Sequence, residues 1–401
     1  MKEEILKYYY GYDKLKPEQN LIIDSILEGN DTIGILPTGF GKTICFVIPA
    51  LILEGLTIVV CPLISLMIDQ VNNLKNLGIS AEYLNSSLDD YKKKLVIDKL
   101  KRNKIKILYL AAERLMNNIF LDAIKNINIS LIVCDEAHTL LWSEDFRYGM
   151  LRIKDFIKML NPRPNIMALS ATSTSKTSEK ITEILNLNNP KIIKFECDRK
   201  NIFYKIINTK NKDKDLFSYI NGKKDKIIIY STTIKNVIHI KNLLESKGIL
   251  CSIYHGKLDS KEKDKMFRNF KENITNIMIA TNAFGMGIDI PDIRYIIEYN
   301  LPSSIEDFSQ QIGRASRDGK YAEGVILFDI KDIKTNEYFI DNISNEDYKE
   351  ERKIKKDRYK KLDQIIKFCL EKKCLHKAVL NYFGFDGEKC KNMCSNCNKN
   401  K

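Results

Sequence analysis

Residues 36–43 read LPTGFGKT, set between an apolar run, Thr32 to Leu36, and a helix-like stretch, TICFVIPALIL. This spacing suits the binding of a polyphosphate. Gly39 and Gly41 let the backbone turn its N–H groups toward phosphate, with Thr38 in the same loop; Lys42 would reach the β- and γ-phosphates and Thr43 would hold Mg²⁺. A second element, DEAH at residues 135–138, follows the apolar run Leu131 to Cys134. Carboxylates at the C-terminal end of a buried parallel strand fall where an open sheet has its ligand crevice. Asp135 would bind Mg²⁺, directly or through water, and Glu136 would orient and deprotonate an attacking water. The strict phosphate-loop pattern has Gly where Leu36 stands, and either element alone also fits a plain turn. A lysine after an early strand and an acidic pair after a later one together favour phosphoryl chemistry.

A third group lies near the C-terminus, where Cys374, Cys390, Cys394 and Cys397 follow the pattern C-x15-C-x3-C-x2-C. Four thiolates complete a tetrahedral Zn²⁺ shell and leave no open position, which makes the expected site structural. Cys369 and His376 are nearby rivals for a ligand place, although Cys369 falls on an apolar helical stripe with Leu362, Ile365, Ile366 and Leu370. The remaining cysteines, Cys45, Cys61, Cys134, Cys197 and Cys251, are scattered, mostly in apolar stretches, and read as small hydrophobes.

These groups need elements to position them. Short apolar runs at Thr32–Leu36, Leu56–Cys61, Ile105–Leu110, Leu131–Cys134 and Asn165–Leu169 predict strands of a parallel sheet covered on both faces. After a lysine-rich stretch from Asn208 to Asp215 the pattern restarts, with runs at Lys226–Tyr230, Leu250–Tyr254, Asn276–Ala280, Tyr295–Tyr299 and Gly324–Phe328. Two successive α/β domains follow from this alternation, in keeping with a length of 401 residues at about 150 residues per domain. Lys and Arg number 65 against 52 Asp and Glu, a formal charge of +13 with a pI near 9.0, so a polyanion is the expected partner. With 44% apolar and 29% charged residues, the disordered, collagen-like and membrane classes drop out. The start, MKEEILKYYY, lacks a signal-peptide pattern, and the longest apolar stretch, Ile44 to Leu53, is too short to span a bilayer. A soluble, cytoplasmic protein of a reducing compartment, with no membrane partner, is expected.

In motif order, the chain resembles the RecQ family of helicases, within helicase superfamily 2, from about Tyr10 to Cys397. YGYDKLKPEQ (10–19) is similar to that family's adenine-binding motif, VVCPLISLMIDQV (59–71) to motif Ia, LYLAAERL (108–115) to Ib with Ala112 in place of Pro, and Ser170–Thr172 to motif III. TLLWSEDFR (139–147) looks like the aromatic-rich loop, one residue shorter than expected; IIIYSTTIKN (227–236) resembles motif IV with Ile234 in place of Arg. ATNAFGMGIDIPDIRYII (280–297) resembles motif V and QQIGRASRDG (310–319) motif VI; LNYFG (380–384) lies between the first two cysteines as in the family's zinc-binding domain.

The resemblance implies that Tyr12 stacks on adenine and Gln19 hydrogen-bonds it, with Lys16 standing where the family usually has Arg. It implies Arg317 as the arginine finger, with Arg314 and Gln310 as sensors and couplers. DNA contacts would come from Trp142, Phe146, Arg147, Ser65 and Thr281, and Asp289 would link motif V to DNA and nucleotide. His255 would either touch DNA or brace a turn. The fold implied is α/β: two tandem RecA-like parallel-sheet domains, at 1–205 and 206–335, followed by a small helical zinc-binding domain at 336–401. The activity implied is that of an ATP-dependent 3′ to 5′ DNA helicase. It would couple Mg-ATP hydrolysis to translocation on single-stranded DNA and to unwinding of forked DNA, in DNA repair and recombination. The cofactors are then ATP, Mg²⁺ and Zn²⁺, and the protein a monomer, nucleoid-associated if bacterial. The chain stops four residues after Cys397, leaving no room for a winged-helix domain, so a DNA-stimulated translocase or strand-annealing factor with weak unwinding is the alternative. An RNA helicase and a non-enzymatic DNA-binding module are further rivals; the zinc cluster argues against the first.

Overall fold

A strand such as Ile129–Cys134, apolar at nearly every position, must be covered on both faces, and that demand forces parallel sheets with helical crossovers. The computed structural model describes the chain apart from residues 38, 63, 139–143, 172–174, 197, 286–289, 345–347 and 399–401, and apart from the side chains of 65, 144–151, 175, 176 and 350. The chain forms two compact units, residues 1–197 and 198–401.

The first unit contains β1 (Thr32–Ile35), β2 (Leu56–Val60), β3 (Ala81–Leu84), β4 (Ile107–Leu110), β5 (Ile129–Cys134), β6 (Asn165–Ser170) and β7 (Lys191–Lys194). They pair in parallel in the order β3-β4-β2-β5-β6-β1-β7. Alternate residues feed two cores: Ile58, Leu108 and Ile132 pack on one face, and Val59, Tyr109 and Val133 on the other. The register Ile35↔Ser170 and Cys134↔Ala168 brings the C-terminal ends of β1, β6 and β5 side by side, so the LPTGFGKT loop, Ser170 and DEAH emerge at one rim.

The second unit contains β8 (Ile202–Asn208), β9 (Lys226–Tyr230), β10 (Ser252–Tyr254), β11 (Ile277–Ala280), β12 (Ile293–Glu298) and β13 (Ala322–Phe328), all parallel, in the order β10-β11-β9-β12-β13-β8. Helices Lys331–Asp341, Tyr348–Leu370 and Leu375–Tyr382 follow, then the cysteine-rich end. On the long helix, Leu362, Ile365 and Cys369 are buried as their spacing predicts; Leu370 is exposed at the helix end, and Phe368 packs inward instead, its ring 5.5 Å from that of Phe308. No helix among the described residues is long and apolar enough to cross a membrane.

All ten strands read from apolar runs are present, with ends shifted by at most two residues. The three not anticipated, β3, β7 and β8, are edge strands. An edge strand needs less apolar cover, so its sequence carries no unbroken hydrophobic run: Ala81–Leu84 reads AEYL and Lys191–Lys194 reads KIIK. The missed β8 also moves the division between units. It was expected at 205/206, but Ile202–Asn208 pairs with β13 throughout, so the compact units part at 197/198.

Candidate functional site

The loop after β1 is shaped by two left-handed glycines, Gly39 (φ +79°) and Gly41 (φ +89°). A Cβ on Gly41 would lie 2.7 Å from Gln19 Nε2, so only glycine fits there. Gln19 is buried and donates to the carbonyls of Phe40 (3.0 Å) and Gly41 (3.4 Å), tying the adenine-motif helix to the loop. Lys16, in place of the family's Arg, sets its ammonium 4.0 Å from the centre of the Phe40 ring, which itself stacks on Phe195. Tyr12 is 60% exposed and offers a free aromatic face.

Lys42 and Thr43 open the helix Lys42–Ile52. Lys42 Nζ lies 2.6 Å from Glu136 Oε1, both side chains only 13% exposed. Thr43 Oγ1 donates to Gln70 Oε1 at 3.1 Å, linking the loop to motif Ia. On the DEAH side, Glu136 has φ +49°, a conformation that costs energy for any residue with a β-carbon and recurs where a site over-determines its geometry. His138 Nδ1 stands 3.0 Å from Ser170 Oγ and 3.4 Å from Glu136 Oε2, so motif III at the end of β6 touches the acidic element directly. Desolvation pushes the Asp135 carboxyl up to about 6; Lys42 opposes the shift and Glu136 reinforces it. A carboxyl and, at the same sheet rim, the Thr43 hydroxyl have the donor chemistry a hard divalent cation takes. Thr38, Trp142 and Asp289 and the side chains of Ser65, Phe146 and Arg147 lie outside the described residues.

In the second unit, the turn after the helix Ile305–Ile312 carries the motif VI arginines. Arg314 is buried, while Arg317 and Gln310 are half-buried. A residue that sequence reasoning missed shapes this turn: Arg199 donates to the carbonyls of Gly313 (3.2 Å), Ala315 (3.0 Å) and Ser316 (2.7 Å). Asn201 Nδ2 adds bonds to Ser316 Oγ (3.0 Å) and Lys320 O (2.8 Å), and Ser316 has φ +49°. A Cβ on Gly285 would stand 2.5 Å from Arg314 Cζ, so motif V makes room for that guanidinium by having no side chain there. Glu298, at the end of β12, is fully buried. Burial drives its carboxyl well above the usual carboxylate range, with Asp307 adding to the shift and Arg314 opposing it. Gln311 Nε2 donates to Asn282 Oδ1 at 2.8 Å. Thr281 is half-buried, its N–H donating to Tyr254 O at 3.1 Å. His255 is buried, which fits the turn-bracing reading and leaves little ring surface for a strand.

The four expected cysteines come together, their sulfurs all within 4.8 Å of one another. Cys374–Cys390 and Cys390–Cys394 are each 3.4 Å apart. Zn–S bonds of about 2.3 Å place tetrahedral sulfurs about 3.8 Å apart, so the cluster fits the ion. Burial works to raise the Cys374 thiol, but the N–H groups of Lys377 and Cys390 outweigh it and bring it down to about 7, toward the thiolate a metal needs. Neither rival joins the cluster. Cys369 is packed into the long helix, and His376 is committed elsewhere, with Nδ1 2.5 Å from Asp198 Oδ1, Nε2 2.9 Å from Met393 O and its ring stacked 3.9 Å from Tyr204. The knuckle also continues the sheet: Tyr204 N donates to Met393 O (3.0 Å) and Ser395 N to Tyr204 O (2.9 Å), covering edge strand β8.

Comparison with known proteins bears on both the motor and the zinc centre. The DEAD/DEAH box helicase family model matches residues 16–181, the helicase conserved C-terminal domain 211–319 and RecQ zinc-binding 330–398. The ATP-dependent DNA helicase RecQ of Bacillus subtilis is 34% identical over 398 residues, 98% of this chain and 66% of that protein. The chain belongs to the RecQ helicase family. It spans just under two thirds of that RecQ relative. A protein of Acanthamoeba polyphaga mimivirus, named as a putative ATP-dependent RNA helicase, is 36% identical and aligned over 98% of this chain and 71% of its own. In fold, the RecQ-family chain is similar to Saccharomyces cerevisiae Dbp5 bound to RNA and ADP BeF3, with a TM-score of 0.68 at 20% identity over 88% of this chain and 97% of that one. The two parallel-sheet domains are thus RecA-like, as expected.

Proposed function

We propose that this RecQ family member is an ATP-driven DNA motor that translocates 3′ to 5′ on single-stranded DNA, opens forked duplexes and serves DNA repair and recombination in the cytoplasm. The observation that carries the reading is the 2.6 Å pair between Lys42 and Glu136, which joins the phosphate-loop lysine to the DEAH carboxylate at one sheet rim. ATP binding would draw Lys42 onto the β- and γ-phosphates and release Glu136 to accept a proton from the attacking water. Mg²⁺, held through Thr43 and Asp135, would neutralise charge on the β- and γ-oxygens. The backbone N–H groups around Gly39 and Gly41 cradle phosphate, Gln19 fixes the loop and Tyr12 receives the base. Arg317 would offset the charge developing on the γ-phosphoryl group, with Arg314 and Gln310 relaying nucleotide state.

One relative's name specifies RNA and the other's DNA, so the polynucleotide is the point to test. ATP hydrolysis is measured with Mg²⁺ alone, with single-stranded DNA and with RNA, beside strand displacement on a forked duplex. Stimulation by DNA well above RNA, together with displacement, is expected. Stronger stimulation by RNA would overturn the DNA assignment, and DNA stimulation without displacement would leave the translocase or annealing alternative.

A further inference from the structure

The helix Tyr348–Leu370 carries nine Lys and Arg against four Asp and Glu. Its buried side, Leu362, Ile365 and Cys369, faces the unit, and Lys361 secures it to Glu306 at 2.9 Å. At 100° per residue, Arg352, Lys353, Lys356 and Lys360 fall within about 100° of arc on the opposite side and within about 12 Å of helix length. All four are exposed. Elsewhere on this helix Lys355 pairs with Glu351 (2.6 Å) and Lys367 with Asp363 (2.7 Å). Among the described residues, none of the four stripe cations has an ion-pair partner.

We propose that this stripe is a binding surface for the phosphate backbone of duplex DNA, distinct from the motor's grip on a single strand; the proposal rests on the reading that the chain acts on DNA. Surfaces for unpaired strands interleave cations with aromatic faces on which bases stack. Here the stripe holds cations alone. Tyr359 lies on its flank with its hydroxyl engaged at 2.7 Å by Asp341, and Tyr348 stands at the helix start. Four outward charges with no aromatic ring within their arc match a partner that hides its bases and presents phosphates, which duplex DNA does at about one charge per 1.7 Å of axis.

The test compares the full chain with a variant in which Arg352, Lys353, Lys356 and Lys360 are all replaced by Ala. Fluorescence anisotropy reads binding to a blunt duplex and to oligothymidylate between 50 and 200 mM salt, and ATPase reads the motor. Four lost phosphate contacts should flatten the slope of log affinity against log salt by about 3 to 4 on duplex. Duplex affinity should fall at least tenfold at low salt, while single-strand binding, stimulated turnover and the unfolding midpoint stay within error. A matched control with Lys92, Lys94, Lys101 and Arg102 changed to Ala, all exposed on another helix or at its end, should leave the duplex slope intact. Unchanged duplex binding, an equal loss on the single strand or an equal loss in the control would overturn the inference alone. No DNA stimulation of the parent ATPase would overturn the motor reading itself.

Discussion

Replacing Glu136 with Gln separates chemistry from binding, because the carboxylate that pairs with Lys42 is also the one proposed to accept the proton of the attacking water. Loss of a general base costs about 10²- to 10⁴-fold in turnover. The effect on binding has the opposite sign. Both partners are only 13% exposed, so the pair is a charge-assisted hydrogen bond in a shielded setting rather than a surface ion pair. Such bonds contribute about 1.5–3 kcal/mol and neutral ones about 0.5–1.5. The amide should therefore release Lys42 to the phosphates at a saving of about 1 to 1.5 kcal/mol, or about five- to twelvefold in affinity. Removing the carboxylate's repulsion of the γ-phosphate acts in the same direction. A titration with a fluorescent ATP analogue in Mg²⁺ reads the first quantity, and phosphate release with saturating single-stranded DNA reads the second. Slower hydrolysis with tighter binding is expected. Turnover within tenfold of the parent, or weaker binding, would refute the role given to this pair.

Two further perturbations address the second unit. Arg199→Ala removes three bonds that hold the arginine-bearing turn. ATPase turnover should fall about 10- to 100-fold with ATP affinity within about threefold, and Arg199→Lys should restore little, since an ammonium lacks the planar fork; equal losses in affinity and turnover would contradict a positioning role. Changing Cys390 and Cys394 to Ser, or stripping metal with a chelator, should take zinc content from one ion per chain to none. Structural zinc contributes about 10–16 kcal/mol in small domains, comparable to the whole stability of a folded unit. A lower unfolding midpoint and rising light scattering, as β8 loses its cover, are expected; an unchanged midpoint would show that the cluster does not support this unit.

The parts of the fold legible from sequence were those whose physics is local. Continuous apolar runs marked the central strands because burial on both faces leaves no choice of residue. The phosphate loop, the acidic pair and the zinc cysteines were legible because each chemistry demands fixed residue types at fixed spacing. Edge strands β3 and β7 escaped because one side of each lacks a neighbouring strand and tolerates Glu or Lys; β8, reading IFYKIIN, escaped because Lys205 interrupts its apolar run. Arg199 and Asn201 escaped for another reason: they act through backbone carbonyls more than a hundred residues away, and a carbonyl leaves no mark in a sequence. Glu298 was hidden inside the run Tyr295–Tyr299, where a lone carboxyl in a strand pattern reads as a residue facing solvent.

The stitching of the C-terminal knuckle to β8 also sets an order of events during synthesis. Ile206 N donates to Ser395 Oγ at 3.3 Å across 189 residues, and the same imidazole, His376, bonds both Asp198 and Met393. The unit's opening segment is thus fastened by residues that leave the ribosome nearly two hundred positions after it. Until they emerge, β8 can pair with β13 on one side only, and its other side is open to any passing strand. Contacts of such separation form slowly. The rest of the sheet can assemble during translation, but its closure waits for the knuckle, and the nascent chain stays exposed until the four cysteines gather.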